Sequence, residues 1–91
     1  MKVEKSNRKN KRFVAIFDDG EKIHFGFKGG STYIDHKDKE KRKNYIARHE
    51  VNEKQFYNDP KRPATLSRFI LWGNATSLYQ AVKDYEKKFN V

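Results

Sequence analysis

The sequence predicts an α+β domain: a small antiparallel β-hairpin or three-stranded sheet in the N-terminal half, packed by about three helices. Three observations predict it. Apolar and polar residues keep a strand-like pattern from Phe13 to Phe25 across an Asp-Gly turn. Apolar residues then recur at helical spacing from Leu66 to Gly73, and again from Leu78 to Phe89. A chain of 91 residues holds one domain at most. These pieces must therefore share one core, with helices covering one face of the sheet.

Met1 to Arg12 carries six Lys or Arg, one Glu and almost nothing apolar. Such a segment has too little to bury, so residues 1–12 are expected to form a basic flexible arm and residues 13–91 a single α+β domain. Phe13 to Phe17, "FVAIF", reads as a strand, Asp18-Asp19-Gly20 as a turn, and Glu21 to Phe25, "EKIHF", as the returning strand. Ile23 and Phe25 fall on one face, Lys22 and His24 on the other. A lone hairpin is unstable in water, and Tyr33-Ile34 is the candidate third strand. Gly26-Phe27-Lys28-Gly29-Gly30-Ser31 leaves the hairpin as a glycine-rich turn.

Asp35 is placed to cap a helix starting near His36, with Asp38 as capping-box partner, and the helix is expected to run to about Val51. Its stripe of Ile34, Lys41, Tyr45 and His49, with Ile46 beside it, is thin, so this helix should pack lightly. Asn58 to Pro63 reads as a loop, with Pro63 at the first position of the next helix. Leu66, Phe69, Ile70 and Gly73 follow the i, i+3, i+4, i+7 rule, and Gly73 is expected to end that helix in a left-handed cap. Asn74 or Thr76 should cap the last helix, where Leu78, Val82, Tyr85 and Phe89 form the buried stripe and Lys87 and Lys88 favour the dipole's negative end.

The net charge of +9 implies attraction to phosphate-rich or acidic surfaces. The chain has no cysteine, which excludes a disulfide framework and a thiolate metal site. No apolar run approaches the roughly 18 residues of a membrane span, and Met1 to Ser6 lack the apolar stretch of a secretory signal. With hydrophobic residues making up only 35% of the chain, the core is small, and stability is expected to come partly from a partner.

Catalysis finds little support. His24, His36 and His49 are twelve and thirteen residues apart, so no local metal clip exists. A ββα nuclease site can be drawn from His24, Asp35, Asp38 and His49, but solvated or stacking histidines are the simpler account. No serine or threonine has a base placed to activate it. The expectation is therefore no catalytic residue, no metal, no cofactor and no enzymatic activity. Gly29-Gly30-Ser31-Thr32 precedes a helix but is neither a Walker loop nor a dinucleotide fingerprint.

The positive charge is more informative. Lys5, Arg8, Lys9, Lys11 and Arg12 of the arm, Lys28 of the glycine turn, and Lys37, Lys39, Lys41 and Lys43 of the helix are the candidate partner- or phosphate-binding residues. Asp38 and Glu40 interrupt the helical run, and Asp38 is spaced to pair with Arg42. The basic and aromatic residues Arg12, Phe13, Lys22, His24, Phe25, Phe27 and Lys28 form a mix able to stack single-stranded bases, although such aromatics more often form core.

The run "IHFGFKGGSTYIDHKDKEKRKNYIARHEVNE", the later "DP", "LSRFILWG" and the closing "YEKKF" resemble a family of small, uncharacterised basic proteins encoded by large nucleocytoplasmic DNA viruses, including those of algae. The resemblance rests on His24-Phe25-Gly26, Tyr33, His36-Lys37-Asp38, Arg42, Tyr45, Arg48-His49, Asp59-Pro60, Leu66-Ser67-Arg68 and Leu71-Trp72. It implies a non-enzymatic virion or nucleoprotein role and transfers no catalytic residue. Within it, His24, Tyr33, His36, Asp38, Arg42, Arg48 and His49 are expected to form a polar network tying the glycine turn to the helix.

Two functions are expected on this basis. The first is a minor capsid or cement component that binds capsid or other virion proteins, located in the virion and in the host cytoplasm or nucleus during assembly. The second is a nucleic-acid-binding protein that contacts DNA or RNA phosphates through the arm and the lysine-rich helix.

Overall fold

The computed structural model describes all 91 residues. Three antiparallel strands, β1 (Lys2–Lys5), β2 (Lys11–Ile16) and β3 (Lys22–Phe27), form a sheet in sequence order. Four helices follow: α1 (Tyr33–His36), α2 (Lys39–Glu53), α3 (Pro63–Leu66) and α4 (Leu78–Phe89). A 3₁₀ turn at Lys54–Phe56 extends α2, and a π-helical turn at Ser67–Leu71 extends α3. The fold is α+β, as the pattern of residues predicts.

The hairpin forms where the alternation places it. Phe13 pairs with Phe25 and Ala15 with Ile23, which sets the apolar side chains on one face. The turn is closed by Gly20 N–H to the Phe17 carbonyl and Phe17 N–H to the Glu21 carbonyl, both at 2.9 Å. At the far end Gly26 adopts φ +79°, facing Arg12, whose Cβ would lie 3.3 Å from a Cβ at Gly26. The register is the same on both sides of Gly26, with Phe13 opposite Phe25 and Lys11 opposite Phe27, so the positive φ of Gly26 re-aims the end of the strand without inserting a residue.

Residues 1–12 do not stand outside the domain as the expected flexible arm. Lys2–Lys5 is the third strand, paired with Phe13–Ile16, and Ser6 N–H reaches the Arg12 carbonyl at 3.0 Å. Backbone pairing to β2 supplies what the side chains lack, and lysines at a sheet edge are tolerated because they face water. Tyr33-Ile34, the expected third strand, is instead the start of α1.

Around α1 each capping role lies three residues from its expected place. Thr32 is the N-cap of α1, and the Asp35 carboxylate accepts its N–H at 2.8 Å. Asp38 is the N-cap of α2 and accepts from Glu40 N–H at 2.9 Å and Lys41 N–H at 3.2 Å. Between them Lys37 turns the chain with φ +55°. Ser77, rather than Asn74 or Thr76, caps α4 by accepting Gln80 N–H at 3.2 Å.

The core joins Phe13, Ala15 and Phe25 of the sheet to Leu66, Ile70 and Leu71 of the α3 segment and to Ala81 and Tyr85 of α4, with Phe17 beside them. The π turn, closed by Trp72 N–H to the Ser67 carbonyl at 3.0 Å, brings Leu66, Ile70 and Leu71 to the core together. Tyr85 donates to the Pro60 carbonyl at 2.6 Å, so its hydroxyl is satisfied in the interior. Lys61 of the same loop pairs with Asp19 at 2.5 Å and Glu21 at 2.9 Å, fastening the loop to the hairpin turn. Gly73 is buried and has no left-handed φ. A Cβ there would lie 2.4 Å from the Phe69 carbonyl oxygen, so close approach, not cap geometry, requires glycine. Gly73→Ala should therefore destabilise the fold by about 1–3 kcal/mol, measured as a lower urea midpoint with an unchanged denaturant slope.

Candidate functional site

No residue of α2 is fully buried. It is held by one cation and one ring. Arg42 donates through Nε to the Gly73 carbonyl at 2.8 Å and the Trp72 carbonyl at 3.2 Å, and through Nη2 to Asn74 Oδ1 at 2.8 Å. These are the carbonyls left unpaired where the α3 segment ends, so a guanidinium from another element caps that end. Arg68 Nη1 also donates to the Trp72 carbonyl at 3.1 Å. Arg42 therefore does not pair with Asp38, whose carboxylate is used by its own helix N-terminus.

Tyr45 stacks on Trp72 with centroids 4.2 Å apart and 4° between planes, and His49 stacks on Tyr45 at 4.0 Å and 22°. His36 lies 5.4 Å from Trp72, and Tyr33 meets His36 edge-on at 6.3 Å. Arg42 lies 5.6 Å over the Tyr33 ring. His36 Nδ1 accepts Asp38 N–H at 2.9 Å, which puts a neutral ring's proton on Nε2. Tyr33, His36, Asp38, Arg42 and His49 thus lie along one chain of contacts through Tyr45 and Trp72. Neither Tyr45 nor Trp72 figured in the sequence-based network; the chain's single tryptophan was the available signal.

His49 Nδ1 lies 3.3 Å from Glu53 Oε1. Burial, with Glu53 and Tyr57 adding to it, pushes the Tyr45 hydroxyl up to about 12, so it stays protonated. Burial and Glu53 likewise raise Tyr57. Burial and the nearby Arg42 lower Arg68.

A groove of about 660 Å³ opens between this aromatic wall and the glycine turn. Its walls include Lys11 and Phe27, Gly30 to Thr32, Arg48 and His49, and Trp72. A second hollow of about 330 Å³ continues it past Ser31, Arg48 and Trp72 to His36, Lys41 and Asn44. A third, of about 340 Å³, lies between Lys5, Arg12, Lys28 and Gly29. The side-chain ion pairs of the chain are Arg12–Asp35, His49–Glu53, Lys61 with Asp19 and Glu21, and Arg62–Asp59. Lys5, Lys11, Lys28, Lys41 and Arg48 belong to none of them.

The expected site residues thus divide. Lys5, Lys11, Lys28 and Lys41 line the hollows with Arg48. Arg8 and Lys9 are exposed in the β1–β2 turn, and Lys37, Lys39 and Lys43 are exposed without lining any of these three hollows. Arg12 is taken by Asp35 through bonds of 2.7 and 2.6 Å, which hold the Asp35 carboxyl well below the usual carboxylate range. His24 lies apart from the other histidines and meets Ser6 Oγ at 2.7 Å. No three His, Asp or Glu side chains converge to hold a metal ion. No helix is long and apolar enough to cross a membrane.

Residues 1–49 match a protein family described as "Family of unknown function (DUF5754)". The chain belongs to that family. The part matched to DUF5754 contains the sheet, the glycine turn and α2 as far as His49, and so contributes Lys11, Phe27, Tyr45, Arg48 and His49 to the groove. The opposite wall, with Leu71 and Trp72, comes from residues beyond it. Comparison with curated proteins and with solved structures gives no match.

Arg42→Ala should cost about 1–3 kcal/mol because two carbonyls lose a charged donor, and Arg42→Lys should not restore it, since a lysine cannot make the planar fork. Urea unfolding followed by Trp72 fluorescence measures both. Burial first, and then Arg8, Lys22 and Lys11, push His24 below its ordinary value of 6.5. The folded chain therefore takes up this proton less readily than the unfolded chain. Stability should be independent of His24 above pH 6.5 and should fall as pH drops through that value, and His24→Gln should flatten that decline in urea midpoints measured between pH 7.5 and 5.

Proposed function

We propose that this chain is a non-enzymatic domain that binds nucleic acid through its phosphates. The observation that carries the reading is the row of unpaired cations, Lys11, Arg48 and Lys41, along one continuous groove beside the glycine turn. Lys5 and Lys28 stand at a neighbouring hollow. Cations held on a folded surface without carboxylate partners are what a phosphate chain neutralises as it releases its counterions. The acid within the groove, Glu53, faces His49 rather than these cations. The aromatic floor gives the groove a rigid shape at low entropic cost, since Tyr45 and Trp72 are already stacked.

The viral resemblance bears on setting. A virion or nucleoprotein of a large DNA virus would meet both packaged nucleic acid and acidic capsid surfaces. Of these, the groove favours nucleic acid, because the free cations line a concave track with aromatic walls rather than a flat face.

The test is the salt dependence of binding to labelled oligonucleotides. With about five phosphate contacts, log K against log salt should have a slope of about −4 to −5 on duplex DNA and about −3.5 on a single strand. Lys11→Gln and Arg48→Gln should each reduce that slope by about one, with the fold unchanged. A flat salt response would overturn the proposal. Displacement of the oligonucleotide by polyglutamate at equal charge concentration would overturn it too, and would favour docking to an acidic capsid protein.

A further inference from the structure

We propose, resting on the nucleic-acid reading above, that Phe27 is a stacking platform for an unpaired base, so that the groove takes single-stranded nucleic acid in preference to duplex. Phe27 is 71% exposed, while Phe25, two residues earlier on the same strand, is fully buried. The chain has seven phenylalanines, and the others are buried or lie against another ring or a cation. Phe27 does neither. It stands on the wall of the larger groove.

Its position is built by the backbone. The positive φ of Gly26 turns the end of β3, and a Cβ at Gly26 would stand 3.1 Å from Leu71 Cδ1, so this turn is packed on the core. Gly30 N–H bonds back to the Phe27 carbonyl at 3.0 Å. A Cβ on Gly30 would lie 3.5 Å from Phe27 Cδ2, so glycine there leaves the ring uncovered. Lys11 is the cross-strand partner of Phe27, and Lys28 is its neighbour in sequence. Arg48 lines the same groove.

An exposed ring flanked by free cations is the arrangement that binds single strands: cations follow the backbone while bases stack in turn on aromatic faces. Tyr45 is not available for this, because Trp72 and His49 stack on it already. A groove of about 660 Å³ is of the size of a small-molecule cleft. That volume accommodates a splayed base, and a paired helix has no free base face to offer the ring.

The experiment compares oligothymidine of about twelve nucleotides with a duplex of equal length. Fluorescence anisotropy is measured at fixed salt for the full chain and for Phe27→Ala, Phe27→Leu and Phe27→Tyr. Phe27→Ala should weaken single-strand binding about five- to hundredfold, with duplex affinity and the salt slope unchanged. Phe27→Leu should be weakened as well, because it keeps apolar area but has no ring face, and Phe27→Tyr should bind as the parent chain does. The inference is overturned if Phe27→Ala or Phe27→Leu binds oligothymidine as the parent does, or if single-strand and duplex affinities fall together. In those cases the salt-dependent phosphate reading stands. Absence of salt-dependent binding by the parent chain overturns both.

Discussion

The Arg42 guanidinium, donating to the last carbonyls of the α3 segment, is the contact on which the arrangement of this molecule turns. α2 is the longest helix and buries none of its residues fully, so hydrophobic burial does little to fix where it lies. Its place is set by a charged fork on a helix end and by the parallel Tyr45–Trp72 stack. Both contacts depend on direction as well as distance. They fix where α2 lies, and so bring Arg48 and His49 of α2 to the same groove as Gly30 and Ser31 of the glycine turn.

The same contact explains how a chain of +9 charge folds around so modest a core. Part of the charge is taken up by contacts within the chain. Arg12 is spent on Asp35, Arg42 on backbone carbonyls, and Lys61 on Asp19 and Glu21. Each links segments distant in sequence, and each is satisfied by hydrogen bonds, so partial burial is tolerable. What remains outside is a smaller, more organised set of cations. Those at the groove are carried by the sheet and α2, which are rigid elements, and this favours recognition over loose electrostatic attraction.

Much of the fold was legible because it is written in local spacing. The β2–β3 hairpin follows from alternation and a turn dipeptide. The α4 helix follows from Leu78, Val82, Tyr85 and Phe89 at steps of four, three and four, and Pro63 opens α3 at the expected residue. The strand Lys2–Lys5 was not legible, because its own residues disfavour burial and its stability comes from pairing with β2. The capping residues around α1 were displaced by one turn because Thr32, Asp35 and Asp38 are all chemically able to cap. The site was less legible than the fold. The lysines were visible, but which of them face a common groove was not. The role of Phe27 was obscured because it shares the strand parity of Phe13 and Phe25; the glycine between Phe25 and Phe27, which takes a positive φ, was the sign of a break in that parity.

The sequence by itself determined the class of fold, the position of the hairpin and the C-terminal helix, and the sign of the surface the protein presents. These depend on periodicity and composition, which are properties of neighbouring residues. Only the tertiary structure decided that Arg42 caps a helix thirty residues away, that Arg12 is neutralised by Asp35, and that Lys11, Phe27 and Arg48 share one groove. Those outcomes depend on which distant surfaces meet, and packing of the whole chain settles that.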